Sequence, residues 1–591
     1  MSGVLARHLI KALGMATIFV AIVAIAEIVL VRLGRWFLQF EGSPSSSEAS
    51  FFEVVSRSFS RLARHRRLAV ATVGLVCVLG RTALIPVLKI PAPKDHDEFS
   101  YLLAGDTFAH GRLTNPTPPM WTHFESIHIN MRPTYMSMYP PGQGFLLAFG
   151  EWLGHAWIGV LLSAGVGCAL ICWMLQAWLP PKWALLGGFL SVLQIGILSY
   201  WTNSYYCGWL PALAGALALG ALPRLQKRPR VSEALLLGVS IALLAISRPY
   251  EGLFFSLPIA VAILVWTLRA HGPNFLMAIN RVIVPLALTM AVMVAFIAYY
   301  NWRVSGNVLL MPYQINQRTY AGVPLFPWQH ERVEPIYHST EMRKYYAQWA
   351  ISGYRHDIAR GSAYMAWNKV KTYWQFYFGV LLSVPLLAIP WVLRDRRIRF
   401  LLIVVAVTGL GLALELWSNP HYAAPLTCVF MGLIIQGMRH LRLWRWRGKR
   451  AGKVLPWAIV LALFALDAAW VSAAAVHVNA GWLYPVGNQE RAAVQAQLEH
   501  MPGLQLAIVR YLPSHPIFRE WVYNRADIDH AKVVWARDLG AACNIELIRY
   551  FKDRHVWLVQ PDVQPPQVTP YAVGARSTGD EGAGCNDNSA P

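Results

Sequence analysis

The chain is short of charge, and shortest of acidic charge. Only 14% of its 591 residues are charged, with 31 Asp and Glu against 52 Lys and Arg, where an ordinary soluble domain carries about 25%. Beside 55% hydrophobic residues and a mean hydropathy of +0.38, that shortage excludes a soluble globular protein and a disordered one. Cysteine is scarce as well, with seven in all. Cys77, Cys168, Cys172 and Cys428 lie in apolar runs, where a thiol acts as a small hydrophobe, and Cys207 falls at the end of one. No His or Cys joins Cys168 and Cys172 in a metal-ligand pattern. Only Cys543 and Cys585 stand in polar sequence, where they can pair if that region is extracytoplasmic. No half of the chain repeats another. The formal charge of +21 does not point to nucleic acid, because the basic residues gather in short loops between apolar runs, which is a topology signal.

What is present in abundance is apolar runs of about 20 residues, each a candidate transmembrane helix. Residues 1–40 hold GMATIFVAIVAIAEIVLV, flanked by Arg7 and Lys11 before it and Arg32 and Arg35 after it. With no small-residue cleavage site it reads as an extra N-terminal span rather than a removable signal peptide. Residues 41–67 read as a Ser-rich cytoplasmic linker ending in RLARHRR. Core spans are expected at 68–90, 156–178, 183–202, 207–222, 231–247, 252–268, 282–300, 372–393, 400–417, 421–438 and 455–476. With RLARHRR cytoplasmic, the basic loops PRLQKRPR, 269–281, RDRRIR and RHLRLWRWRGKRAGK all fall inside, and SYWTNSYYCGW, SRPYEG and SNPHYAAP fall outside. The fold class expected is therefore a polytopic α-helical membrane protein.

Two outer loops are long, 91–155 and 301–371, and residues 478–565 read as a small extracytoplasmic α/β domain. In it LQLAIVRY, AKVVWARD and HVWLVQPD have strand patterns and NIELIRYFKDR a helical one. Residues 566–591 are expected to be a disordered tail. In the first loop, EFSYLLAGDTFAHG and GFLLAFGEWLG are expected to form amphipathic helices lying at the membrane interface. The loop opens with Asp95-His96-Asp97-Glu98, a carboxylate cluster placed at the headgroup plane, which suits a reaction between a lipid-borne group and a polar acceptor.

Asp97-Glu98 followed by Phe99-Ser100-Tyr101, soon after the first core span, resembles the modified Asp-x-Asp signature of GT-C glycosyltransferases. Tyr139-Pro140-Pro141-Gly142 resembles the His-Pro-Pro-Leu-Gly stretch of the branch that holds protein O-mannosyltransferases and lipid A aminoarabinose transferases. Arg248-Pro249-Tyr250-Glu251-Gly252 looks like an Arg-Pro element of bacterial members. His421-Tyr422-Ala423-Ala424-Pro425 stands where members often carry Arg-Tyr-x-x-Pro. The resemblance covers residues 68–477, and it implies a GT-C-like catalytic bundle of about eleven core spans plus the extra N-terminal span. It implies a polyprenyl-phosphate-sugar donor, an unknown lipid, glycan or protein acceptor, inversion at the anomeric carbon, and catalytic loops outside the inner (plasma) membrane.

On this resemblance Asp97 is the expected catalytic base and Glu98 its partner, orienting the acceptor or tuning the base. Arg248, His421, Arg318 and Arg332 are the expected donor-phosphate ligands, the last two on a 301–371 loop long enough to act as a lid. Asp95, His96, Tyr101 and Tyr139 are expected around the acceptor. No obligate metal is implied, although Asp95 and Asp97 together could take a divalent cation. Each residue also has a plainer reading: a solvated charge run for Asp97 and Glu98, a snorkelling anchor for Arg248, a packed imidazole for His421. Arg81, Glu415 and Asp467 fall inside predicted spans, where ionisable groups are functional candidates by default. The competing reading of the whole chain is a non-enzymatic transporter or lipid flippase; a bundle of the same fold that binds without catalysis is a third. The absence of a repeated half and the concentration of polar chemistry in outer loops favour the enzyme.

Overall fold

In the computed structural model residues 51–396, 398–445, 451–475 and 487–572 are described. The N-terminal span expected over 1–40 lies outside them, as does Cys585. Five of the described helices are long and apolar enough to cross a membrane: Ala156–Trp178, Pro249–Leu268, Pro273–Ser305, Pro420–Leu441 and Leu455–Ala474. A sixth arises if Ser362–Tyr377 and Gly379–Arg394 count as one span bent by 102°.

Several of the other expected runs are interrupted or shorter, for local reasons. The run at 68–90 is a helix only over Arg66–Ala83. Beyond it Pro86, which has no backbone N–H to continue the ladder, sits in a one-turn helix, Ile85–Leu88, and Lys89 then turns to φ 55°. The run at 183–202 breaks too, as Pro181–Ser191 passes into a single π-turn, Val192–Gly196. There the Thr202 hydroxyl and Asn203 amide bond back to the Gly196 and Ile197 carbonyls at 2.8 and 2.9 Å. The bend near Phe378 falls at Gly379, whose φ of 53° suits only glycine at low cost. Val231–Ser247 and Arg399–Leu414 are apolar but shorter.

The helices share one core, centred on Val73, Cys77, Cys168, Leu175, Trp209, Ala216, Val404 and Ile434. Arg66–Ala83 and Ala156–Trp178 approach closely where glycines face each other. A Cβ on Gly74 would stand 3.0 Å from the Gly165 carbonyl oxygen, the small-residue contact that lets membrane helices pack tightly. Arg81, fully buried, donates to Asn203 Oδ1 at 2.8 Å and the Lys89 carbonyl at 2.7 Å. It therefore holds the loop end of that helix.

Three further sequence expectations are corrected. Residues 51–64 are helical, not linker. Gln567–Pro570 is a strand rather than tail, because it pairs antiparallel with Arg554–Gln560. The helix His96–Ala109 does not float at an interface, for it is buried on nearly all sides. One side packs on the helix Gly142–Trp152, where a Cβ on Gly144 would meet Phe108 and Ala104 at 2.6 and 2.7 Å. The other side meets the C-terminal unit.

That unit holds a four-stranded sheet in the order Val533–Arg537, Leu504–Val509, Arg554–Gln560, Gln567–Pro570, with parallel pairing among the first three. The helices Gln489–His500 and Ala541–Tyr550 belong to it. It is not separate from the first outer loop. Leu103, Trp121, Phe124 and Ile129 share one cluster with Leu506, Ile508, Val534 and Phe551, and Asp106 Oδ2 accepts the Ala526 amide at 2.7 Å. Cys543 is disulfide-bonded.

Candidate functional site

The helix His96–Ala109 follows the first core helix after a short loop, and its N-terminal turn holds Asp97 and Glu98. That end of a helix favours anions by about 0.3–1 kcal/mol. Asp97 Oδ1 lies 2.8 Å from Nδ1 of His128 and accepts the Tyr139 hydroxyl, and Oδ2 accepts the Tyr206 hydroxyl at 3.1 Å. Tyr206 also reaches Asp95 Oδ2 at 2.8 Å, so one phenol bridges two carboxylates. The Asp97 side chain keeps 23% of its surface open and is accessible to a substrate.

The two carboxylates are pushed apart. Burial raises the carboxyl of Asp97, but His128, His96 and the Tyr139 hydroxyl outweigh it and hold that group well below the usual carboxylate range. Asp95 goes the other way, to about 7, through burial and the charge of Asp97. Asp97 is thus the carboxylate that stays charged and Asp95 the one that holds a proton more readily, the division of labour typical of an acid–base pair.

His128 is the residue sequence reasoning missed, and the arrangement centres on it. Nε2 faces the Tyr345 hydroxyl at 3.1 Å, its amide donates to the Tyr346 hydroxyl oxygen at 3.3 Å, and its carbonyl accepts from Ser100 at 2.6 Å. Its φ is 65°, a left-handed conformation that a non-glycine residue adopts at some cost and that gathers at functional positions. Tyr345 and Tyr346 come from the second long loop, which therefore covers the site. Only the positions of these three loops in space bring His128, Tyr206 and Tyr345 to Asp97. No spacing in the sequence signals it, although the aromatic density of SYWTNSYYCGW was a partial cue.

The site extends toward the spans. The His421 ring lies 5.2 Å from that of Tyr206, and its Nδ1 is 2.8 Å from the Tyr200 hydroxyl. Tyr422 follows, with the Arg248 guanidinium over its ring at 4.5 Å. Arg248 also meets Glu251 at 3.3 Å, while its Nε is buried without a hydrogen-bond partner. Tyr101 stacks on Tyr139 at 4.3 Å. Asp95, Asp97, Tyr101, Tyr139, His421 and Arg248 are thus linked, through Tyr206 and Tyr422, in one chain of contacts.

Other expected residues stand elsewhere or do something else. Glu98 is buried and accepts the amides of Lys94 and Tyr205, each at 3.1 Å; it ties the loop that carries Tyr206 rather than facing a substrate. Burial and the charge of Asp95 push its carboxyl up. His96 is buried with neither ring nitrogen hydrogen-bonded, against Tyr345 at 4.9 Å and Phe518 at 5.6 Å. Burial lowers its imidazole to about 3, which keeps it neutral. Arg318 and Arg332 are exposed, and Arg332 donates to the Gln317 carbonyl at 2.9 Å. The helix that carries Arg318, Pro312–Tyr320, instead sends Asn316 to Asn130 and Tyr346, each contact at 3.1 Å.

A divalent ion does not fit the donor set at Asp95 and Asp97. Such an ion takes six or more oxygen ligands, whereas the groups facing Asp97 are hydrogen-bond donors. Among the described residues no three His, Cys, Asp or Glu side chains converge as a metal site.

The class defined is a helical bundle with membrane-length apolar helices and a loop-built acidic site at one end. No protein-family model matches the chain, and neither does any curated protein sequence. Among solved structures it is similar to ArnT from Cupriavidus metallidurans in the apo state, at 13% identity over 82% of this chain and 92% of that one, TM-score 0.43. The same protein bound to undecaprenyl phosphate matches at 12% identity, over 83% of this chain and 92% of that one, with TM-score 0.43. The oligosaccharyltransferase of Archaeoglobus fulgidus tethered with an acceptor peptide matches at 12% identity over 75% of this chain, with TM-score 0.42. The chain spans 62% of the length of that archaeal protein.

Proposed function

We propose that the chain is an inverting glycosyltransferase of the GT-C type, moving a hexosyl or pentosyl group from a polyprenyl-phosphate-linked donor to an acceptor hydroxyl outside the inner membrane. The observation that carries this reading is the Asp97 carboxylate: ionised, partly open, and fixed by His128, Tyr139 and Tyr206 where loop and spanning helices meet.

In this reading the acceptor hydroxyl gives its proton to Asp97 as its oxygen bonds the anomeric carbon. The bond from that carbon to the phosphate oxygen breaks on the opposite face, and its electron pair stays with the departing polyprenyl phosphate. A general base positioned within about 3 Å contributes on the order of 10²–10⁴-fold. Arg248, with Nε free and buried, meets the charge growing on the phosphate, and the planar guanidinium suits phosphate oxygens. His421 and Tyr422 form the passage between the two ends. Tyr345 and Tyr346 close the site from the second loop and limit water, which would otherwise intercept the sugar.

The test is a mass analysis of membrane lipids and envelope glycans from a strain lacking the gene. Restoring the wild-type gene is expected to remove an accumulated polyprenyl-phosphate-sugar and return one sugar to an envelope glycan, lipid or protein, whereas the Asp97→Asn gene is not. Identical profiles in all three strains contradict the proposal.

A further inference from the structure

A polar cavity of about 520 Å³ opens between the far end of the helix His96–Ala109 and the C-terminal unit. That is within the range of small-ligand sites, about 300–1,000 Å³. It is remote from the chemistry described above. Asp106, in its wall, follows Asp97 by nine positions, which is about 14 Å along a helix and half a turn around it.

Its lining is balanced. Arg491, Arg525 and Lys532 stand against Asp106, Glu499 and Asp527, so a phosphate entering would meet as many carboxylates as cations. An extended peptide is disfavoured for another reason. Val533–Arg537 is an edge strand, but the Asn524 side chain occupies both backbone groups of Trp535, accepting from its amide at 2.8 Å and donating to its carbonyl at 2.7 Å. No ladder is left there to extend. What remains is a wall of interleaved donors and acceptors, the pattern a polyhydroxylated ligand satisfies.

One side chain awaits such a partner, and a second stands ready at the rim. Asp106 is 3% exposed; its Oδ2 is taken by the Ala526 amide, while its Oδ1 has no hydrogen-bond partner and lies 3.5 Å from His110 Nδ1. A buried polar atom left unpaired costs about 1–3 kcal/mol, which a ligand hydroxyl would relieve. Arg525 is exposed at the cavity wall.

We propose that this cavity binds a neutral oligosaccharide, holding the distal sugars of a glycan acceptor. Its role rests on the glycosyl-transfer reading; the binding itself does not. The experiment titrates the full chain in nanodiscs with maltotriose, cellotriose and triacetylchitotriose, following tryptophan fluorescence, with trialanine and inorganic phosphate as comparators. At least one trisaccharide is expected to saturate. Arg525→Ala and Asp106→Asn are each expected to weaken it at least fivefold, while Asp97→Asn leaves it unchanged. Arg525→Ala guards against a folding defect, since its side chain is exposed. The proposal is overturned if no trisaccharide binds, if both cavity variants bind as the wild type does, or if trialanine or phosphate binds as tightly. Saccharide binding combined with an unaltered envelope profile in the deletion strain would leave this site standing and remove the transferase.

Discussion

Replacing Glu520 by Gln is expected to loosen the join between the C-terminal unit and the first outer loop by about 3 kcal/mol at pH 7. The Glu520 carboxylate is 4% exposed and lies 2.7 Å from the Arg537 guanidinium. It also accepts from the Tyr511 hydroxyl at 2.8 Å and the Val522 amide at 2.9 Å. Arg537, itself 1% exposed, donates onward to the Glu125 carbonyl at 2.6 Å, so the pair pins the loop. Burial raises the Glu520 carboxyl, but Arg537 and these donors outweigh it, and the group falls from 4.5 to about 2. At 1.36 kcal/mol per pH unit that drop is worth about 3 kcal/mol. The figure agrees with the 3–5 kcal/mol typical of breaking a buried pair from one side.

The sign follows from which state binds protons. The folded pKa is depressed, so the contribution is fully present above about 4.5 and is lost as pH falls toward about 2. Native-state hydrogen exchange of the Val533–Arg537 amides reads the opening free energy. The Gln variant should open about 3 kcal/mol more readily at pH 7, and the gap should narrow at pH 3. Changing Arg537 to Met as well should restore part of the loss, since no buried charge is then stranded. A gap under 1 kcal/mol at pH 7, or one that does not change with pH, refutes the reasoning.

Three further outcomes follow from the same geometry. His128→Ala releases the Asp97 carboxyl from its main lowering partner, so the acid limb of a pH–activity profile should move toward neutrality; His128→Gln, which keeps a donor, should move it less, and unmoved limbs in both would deny His128 its positioning role. Gly159→Ala places a Cβ 2.1 Å from the Leu146 carbonyl oxygen, a backbone atom that cannot swing away, and should cost about 1–3 kcal/mol in detergent unfolding, whereas a neutral result would show that the two helices separate freely. A Cys in place of the exposed Lys94 should react with a membrane-impermeant maleimide on intact spheroplasts; reaction only after permeabilisation would place the carboxylates in the cytosol.

How much could be read from sequence differed with the range of the interaction. The Asp95–Glu98 cluster was legible because charge directly after an apolar run is local information, whereas the choice of Asp97 within it came from the resemblance to GT-C loops. The Pro-Pro-Gly marked the start of the next helix, Gly142–Trp152, and Tyr139 before it was singled out by the same resemblance. LQLAIV and VVWAR carry enough strand character to mark two neighbours in the C-terminal sheet. His128 was not legible, since its importance lies in a left-handed backbone and in Tyr345, 217 positions away. The merging of the C-terminal unit with the first loop was hidden for the same reason: the bond from Ala526 to Asp106 crosses 420 positions. Apolar composition overstated continuity at 183–202, where the chain is apolar enough for a span yet Thr202 and Asn203 fold its end back. Arg318 and Arg332 were chosen for charge in a lid-like loop, but charge does not say which residues of that loop turn inward; Asn316, on the same helix as Arg318, does.

The central claim is that the Asp97 carboxylate accepts a proton while a lipid-linked sugar is transferred. It is tested most directly by reconstituting the purified chain with lipid extract and envelope acceptor from the deletion strain, and counting sugar released from polyprenyl phosphate per unit time. Asp97→Asn preserves shape but not basicity, and is expected to slow that release by about 10²–10⁴-fold with folding and membrane insertion unchanged. A rate within threefold of the wild type would contradict the account.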